Sequence, residues 1–267
     1  MLEILEYEFM RNALLAGILV SVACGIMGSL VVVNRIVFIS GGIAHASYGG
    51  IGLAFFAGFP PGLGAGLFAL LSALVMGLAS SKQKHRADTM IGVIWAVGMA
   101  LGIVFMDLTS GYRVDLMGYL FGNILMVPDQ FVSVMILLVL LVLVLVFVFY
   151  KEFLALSYDQ EFAQAMGVPV DKLYFLLLTL VAVSVVLSIQ VVGLILVIAL
   201  LSIAPYIAER YTNSLKQMML LAVLLNIIFT QIGIWLAYFL DLSTGATIVL
   251  SAALFFFLTF LIPAKGT

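Results

Sequence analysis

Apolar residues come in long runs, not in the short alternations of a soluble core, and the runs are cut by charges, prolines and glycine clusters. A stretch such as Phe131 to Tyr150 shows none of the period-two alternation of a transmembrane barrel strand. A bilayer core of about 30 Å takes about 20 apolar residues per helical crossing, and helices satisfy their own backbone hydrogen bonds there. The pattern therefore predicts an all-α integral membrane bundle of nine crossings, near 9–33, 41–58, 61–80, 89–107, 130–150, 172–189, 191–208, 215–239 and 245–263. An apolar piece at 116–126 is too short to cross and reads as a re-entrant or surface helix.

Composition agrees: 65% of the residues are hydrophobic and 9% charged. The net charge of -2, with eleven basic residues scattered over the loops, gives no support to a nucleic-acid role. The single cysteine, Cys24, lies in the first apolar run, forms no intramolecular disulfide and reads as packing. Residues 9–33 follow acidic Glu3, Glu6 and Glu8, not a basic region, so the run reads as a retained helix and not a signal peptide. Lysine and arginine accumulate in cytoplasmic loops. With nine crossings, Arg35, the Lys82–Arg86 loop, the Lys151–Lys172 loop and the Arg210–Lys216 loop all fall on one face. The expected orientation has the N-terminus outside, the C-terminus with Lys265 in the cytoplasm, and residues 1–267 forming one membrane domain. No phosphate-binding Gly-x-x-x-x-Gly-Lys-Ser/Thr loop occurs, so any ATP hydrolysis falls to another chain.

The most polar stretch is Tyr150 to Leu173. Ser157 followed by Asp159 and Glu161 suits a helix start, and Gly167 with Pro169 suits its end, predicting a cytoplasmic helix near 157–167 with Phe162, Ala163 and Met166 on one face. Such a helix either docks a partner or lies along the membrane surface.

Several stretches, taken in order, resemble the membrane permeases of ATP-binding-cassette importers for zinc and manganese. Ser40-Gly41-Gly42-Ile43-Ala44-His45-Ala46 stands where that family has a Gly-Asp-x-x-Ser-His-Ala segment. Asp88-Thr89-Met90-Ile91-Gly92 and Tyr119-Leu120-Phe121-Gly122-Asn123-Ile124-Leu125 are similar to its fourth-helix start and its Leu-Phe-Gly segment. Ser157-Tyr158-Asp159 through Ala165-Met166-Gly167-Val168 resembles its coupling loop, and Asp241-Leu242-Ser243-Thr244-Gly245-Ala246-Thr247 the start of its last helix. The resemblance implies the permease fold shared with cobalamin and iron-siderophore importers, a homodimer, two cytoplasmic ATP-binding subunits docked on the coupling loop, and an extracytoplasmic metal-binding protein. The family's aspartate four residues before the histidine is Gly41 here.

His45 is the candidate metal ligand: an ionisable group inside a membrane segment is a functional hypothesis, and imidazole suits zinc and is acceptable for manganese or iron. The alternative is a histidine hydrogen-bonded to a neighbouring helix. Gly41, Gly42, Ser47 and Tyr48 lie around it as pathway or packing residues. Asp107, Asp115 and Asp241 form either an acidic outer vestibule or solvated helix ends. Asn123, Gln190, Asn226 and Gln231 read mostly as interhelical hydrogen bonds, with a minority lining a path. His85 reads as a solvated loop residue, and the thirteen methionines as packing. Ser157, Asp159, Glu161, Phe162, Met166 and Gly167 are the expected ATPase-coupling residues.

The expected function is the translocation subunit of an ATP-driven importer in the plasma membrane of a prokaryote. Its cargo is zinc first, then manganese or ferrous iron, with no permanently bound cofactor and no catalysis by this chain. The alternative is a secondary metal transporter driven by an ion gradient, which needs carboxylates near mid-membrane.

Overall fold

The computed structural model describes residues 6–82, 86–109, 122 and 124–261. Its helices are α1 (Glu8–Val33), α2 (Val37–Ala57), α3 (Pro61–Lys82), α4 (Ala87–Leu108), α5 (Asp129–Val148), α6 (Tyr150–Tyr158), α7 (Gln160–Ala165), α8 (Val170–Val192), α9 (Leu194–Tyr211), α10 (Leu215–Leu240) and α11 (Thr244–Thr259). Eight of these are long and apolar enough to cross a membrane, and α11, at 16 residues, is shorter than that criterion. The nine expected runs therefore all form helices, with boundaries moved by a few residues. The proposed helix at 116–126 lies largely outside the described residues, of which Ile124–Met126 form a single 3-10 turn.

Two compact units divide the chain. In the first (1–33, 117–149 and 187–267), α1 packs on α5, α9 and α10, and α11 packs on α9 and α10. Helix α5 shows the geometry of a lipid-facing helix. Val132, Met135, Val139, Val142 and Val146 recur at helical spacing and are buried, while Leu137 and Phe147 on the other side are 68% and 84% exposed. Polar side chains stitch this unit between helices. Asn12 Nδ2 donates to Val127 O at 3.2 Å and to Asp129 Oδ1 at 2.6 Å, Asn226 Nδ2 donates to Leu200 O at 3.0 Å, and the Ser21 and Thr230 hydroxyls lie 3.1 Å apart. Between α8 and α9 the chain turns at Gly193, whose φ of 79° and ψ of 166° only glycine adopts without strain.

In the second unit (34–116 and 150–186), α2 is packed on both α3 and α4. The contacts are made backbone to backbone. A Cβ at Gly98 would meet Ala46 Cα at 2.6 Å and one at Gly49 would meet Gly98 O at 2.7 Å, while Gly52 faces Gly102 and Gly50 faces Gly64 more closely still. Lipid tails are as apolar as leucine, so small-residue faces that maximise van der Waals contact hold such helices together.

The cytoplasmic helix expected at 157–167 is two helices. α6 ends at Tyr158 and α7 begins at Gln160, with Asp159 between them in extended geometry (φ -152°, ψ 97°). Ser157 is not the cap. It is the penultimate residue of α6, and its hydroxyl donates to Phe153 O at 2.7 Å, because a helical serine has its own i-4 carbonyl within reach.

These packing distances make a direct prediction. Gly102→Val removes the close approach of α2 and α4 and destabilises the protein by at least the cost of an overpacked core, about 1–3 kcal/mol. Gly66→Ala, with nothing within 4 Å of the added methyl, is neutral or mildly stabilising. Melting temperatures in detergent check both; equal behaviour of the two variants would contradict the assigned interface.

Candidate functional site

His45 lies on α2, and its ring stacks on Trp95 of α4 with centroids 4.0 Å apart and planes 11° from parallel. Phe38, two turns earlier on α2, meets the same indole at 5.9 Å. Trp95 Nε1 donates to Met99 Sδ at 3.2 Å, one turn further along α4. The histidine is partly exposed, but its Nδ1 is buried and has no hydrogen-bond partner among the described residues. The alternative of a histidine hydrogen-bonded to a neighbouring helix therefore finds no support at this nitrogen. Ser47 is buried and spends its hydroxyl on Ala44 O at 2.6 Å, and Tyr48 is buried against Gly102. Gly41 and Gly42 are buried too, and Gly42 faces Ile91.

Among the described residues no group of three or more His, Cys, Asp or Glu side chains is placed to hold a metal ion. A closed four-ligand site of the structural-zinc kind is thus absent from them, and His45 stands as a single donor. Asp107 is exposed near the end of α4, twelve residues beyond Trp95, which at 1.5 Å per residue is about 18 Å along the helix, too far to share a coordination shell with His45. Asp241 is exposed, and its backbone has a definite role. At φ 52° it caps α10, with its N–H donating to Ala237 O, a left-handed position that aspartate tolerates better than most residues. Asp115, Asn123 and His85 lie outside the described residues. Gln190 is partly buried near the end of α8, and Gln231 Nε2 donates to Leu14 O at 3.3 Å. Every Asp and Glu among the described residues sits in the end turns of a long helix or outside the long helices, and none lies at mid-helix.

The loop after α5 is built by local caps. Phe153 and Leu156 are buried and anchor α6, and Asn34 Nδ2 donates to Ser157 Oγ at 2.9 Å. Asp159 Oδ1 accepts from Phe162 N at 2.9 Å, capping α7 at its N3 position. Gly167 N and Val168 N return to Gln164 O and Ala163 O, both at 3.0 Å, with Gly167 at φ 82°. This pair of bonds is a Schellman stop that requires the left-handed residue. The expected shared face of Phe162, Ala163 and Met166 is corrected: Ala163 is buried, whereas Phe162 and Met166 are 63% and 69% exposed. Tyr158, the last residue of α6 on the other side of the Asp159 break, is exposed as well (67%). The sequence predicts one continuous helix here, and the structure breaks it at Asp159. Charged Glu161 is exposed beside Phe162.

Comparison with known proteins adds the relationship. Residues 6–263 match the ABC 3 transport family. An uncharacterized membrane protein of Synechocystis sp. is 50% identical over 254 residues, covering 95% of this chain and 90% of that protein. The manganese transport system membrane protein MntC of Halalkalibacterium halodurans is 33% identical over 263 residues, covering 98% of this chain and 90% of that one. Among solved structures, PsaBC from Streptococcus pneumoniae in complex with Fab is similar with a TM-score of 0.88 at 32% identity, covering 98% of this chain and 94% of that chain. A match of this extent, on an all-helical chain whose described residues include eight membrane-length helices, means that the protein belongs to the ABC 3 transport family as a membrane permease.

Proposed function

We propose that this permease is the translocation subunit of an ATP-driven importer for a divalent transition-metal ion. The observation that carries the proposal is a single imidazole with a buried, unpartnered nitrogen inside a membrane-length helix of an ABC 3 family chain. A passage site must release what it binds, and one neutral nitrogen donor with water or a second subunit completing the shell suits that requirement better than a closed cage. Two arguments bear on the ion. The nitrogen donor and the glycine at position 41, where the resembling family has a carboxylate, lean toward zinc. The name of the Halalkalibacterium relative points to manganese.

The assembly in this reading is a homodimer with two cytoplasmic ATP-binding subunits and an extracytoplasmic metal-binding protein. The N-terminus is outside and the C-terminus cytoplasmic. The ATPase contact is the α6–α7 turn, where exposed Phe162 and Met166, four residues apart, offer an apolar surface beside Glu161, with exposed Tyr158 at the end of α6. Such a surface on a rigidly capped helix suits transmission of a movement, since both of its ends are tied by hydrogen bonds. The absence of mid-helix carboxylates among the described residues supports this reading over an ion-gradient-driven carrier.

Proteoliposomes holding the permease, its ATPase and its binding protein should take up Mn2+ or Zn2+ only with ATP, and His45→Ala should lower uptake at least tenfold while the dimer and the ATPase still co-purify. Uptake driven by a proton or sodium gradient without ATP would sink the proposal. In the same complex Asp159→Ala removes the α7 cap, worth about 0.5–2 kcal/mol. Hydrogen exchange at the Phe162 amide should accelerate and transport should uncouple from ATP hydrolysis, with Asp159→Asn close to wild type. Unchanged exchange in Asp159→Ala would dismiss the cap.

A further inference from the structure

His45 is held without the hydrogen bond that normally orients a ligating histidine. Metal-binding imidazoles usually donate their second nitrogen to a carboxylate or carbonyl, which fixes the ring plane and raises ligand basicity. Here Nδ1 is buried with no such partner among the described residues, and the contact that defines the ring plane is the near-parallel stack on Trp95. We infer that Trp95 is the positioning residue of this transporter, orienting the His45 imidazole by stacking where other metal-binding histidines use a hydrogen bond. The inference rests on the reading of His45 as a metal ligand.

The stack is built into the helix packing. Three residues before His45, Gly42 lies against Ile91, where a Cβ would come within 2.7 Å of Ile91 Cγ2. Four residues after it, Gly49 lies against Gly98 O at the same 2.7 Å limit. Ile91 and Gly98 are one turn to either side of Trp95, so the two close approaches bracket the ring pair and bring α2 and α4 to the spacing of a stack. The indole is itself fixed. Its N–H donates to Met99 Sδ and its ring meets Phe38.

Stacking engages a face of the ring, whereas metal ligation takes place in the ring plane. Trp95 therefore orients the donor without competing for it. It adds none of the basicity that a hydrogen-bonded carboxylate would supply, so the imidazole remains a weak donor. That suits an ion that must pass on.

The test uses the fact that the chain has two tryptophans. With Trp235→Phe as background, Trp95 is the one tryptophan in the full-length permease in nanodiscs, and excitation above the tyrosine band reads it alone. Zn2+, which does not quench by itself, should change the emission of Trp95 as charge arrives on the stacked ring, and His45→Ala should abolish the change. No change with Zn2+ in the background protein overturns the inference. In reconstituted transport, an aromatic stack corresponds to about a threefold to tenfold rise in KM for the metal in Trp95→Leu. Maximal rate should be little altered, and Trp95→Phe should recover most of the effect. Equal KM in Trp95→Leu and wild type overturns the positioning role while leaving the importer reading intact. A rise as large in Trp95→Phe as in Trp95→Leu assigns the effect to the indole N–H, also against the stack. Normal uptake by His45→Ala refutes the ligand reading beneath it.

Discussion

Close backbone contact between α2 and α4 is the constraint on which the site depends. Inside a bilayer, two apolar helices gain nothing by hiding from lipid, so what holds them is contact area and shape. Gly49, Gly52, Gly98 and Gly102 remove the side chains that would hold the backbones apart. The same closeness leaves room for one flat pair of rings, and His45 and Trp95 fill it. The imidazole is therefore placed by its neighbours' lack of side chains as much as by its own position in the sequence.

The α6–α7 loop follows a different logic. It is polar, lies outside the long apolar helices and is ordered by caps, not by bulk packing: Asp159 at one end of α7 and the Gly167 turn at the other. Buried Phe153, Leu156 and Ala163 hold it from beneath, which frees Tyr158, Phe162 and Met166 to face outward. Exposed apolar residues on a short polar loop are the surface that the proposed function gives to the ATPase.

Most of the architecture was legible in the sequence because membrane helices carry a long and redundant signal. All nine apolar runs became helices, and shifts such as 41–58 to Val37–Ala57 arose because α2 begins directly after the left-handed turn at Arg35. The loop was less legible. Serine and aspartate are both good caps, and only the geometry showed that Ser157 bonds back to Phe153 while Asp159 breaks the helix. His45 stood out as an isolated imidazole in an apolar segment. Its partner Trp95 did not, since a tryptophan in a membrane helix carries no pattern distinguishing a stacked ring from a lipid-facing one. Asp107 and Asp241 looked alike in sequence as acidic helix ends, yet one is an exposed residue of the last turn and the other a left-handed cap.

The central claim is that His45 touches the transported ion. X-ray absorption at the zinc or manganese edge, on the permease–ATPase complex loaded with the metal, tests it most directly. The account predicts outer-shell scattering from one imidazole per site in the wild type and its loss in His45→Ala. Identical spectra from the two proteins, with an all-oxygen shell, would contradict it.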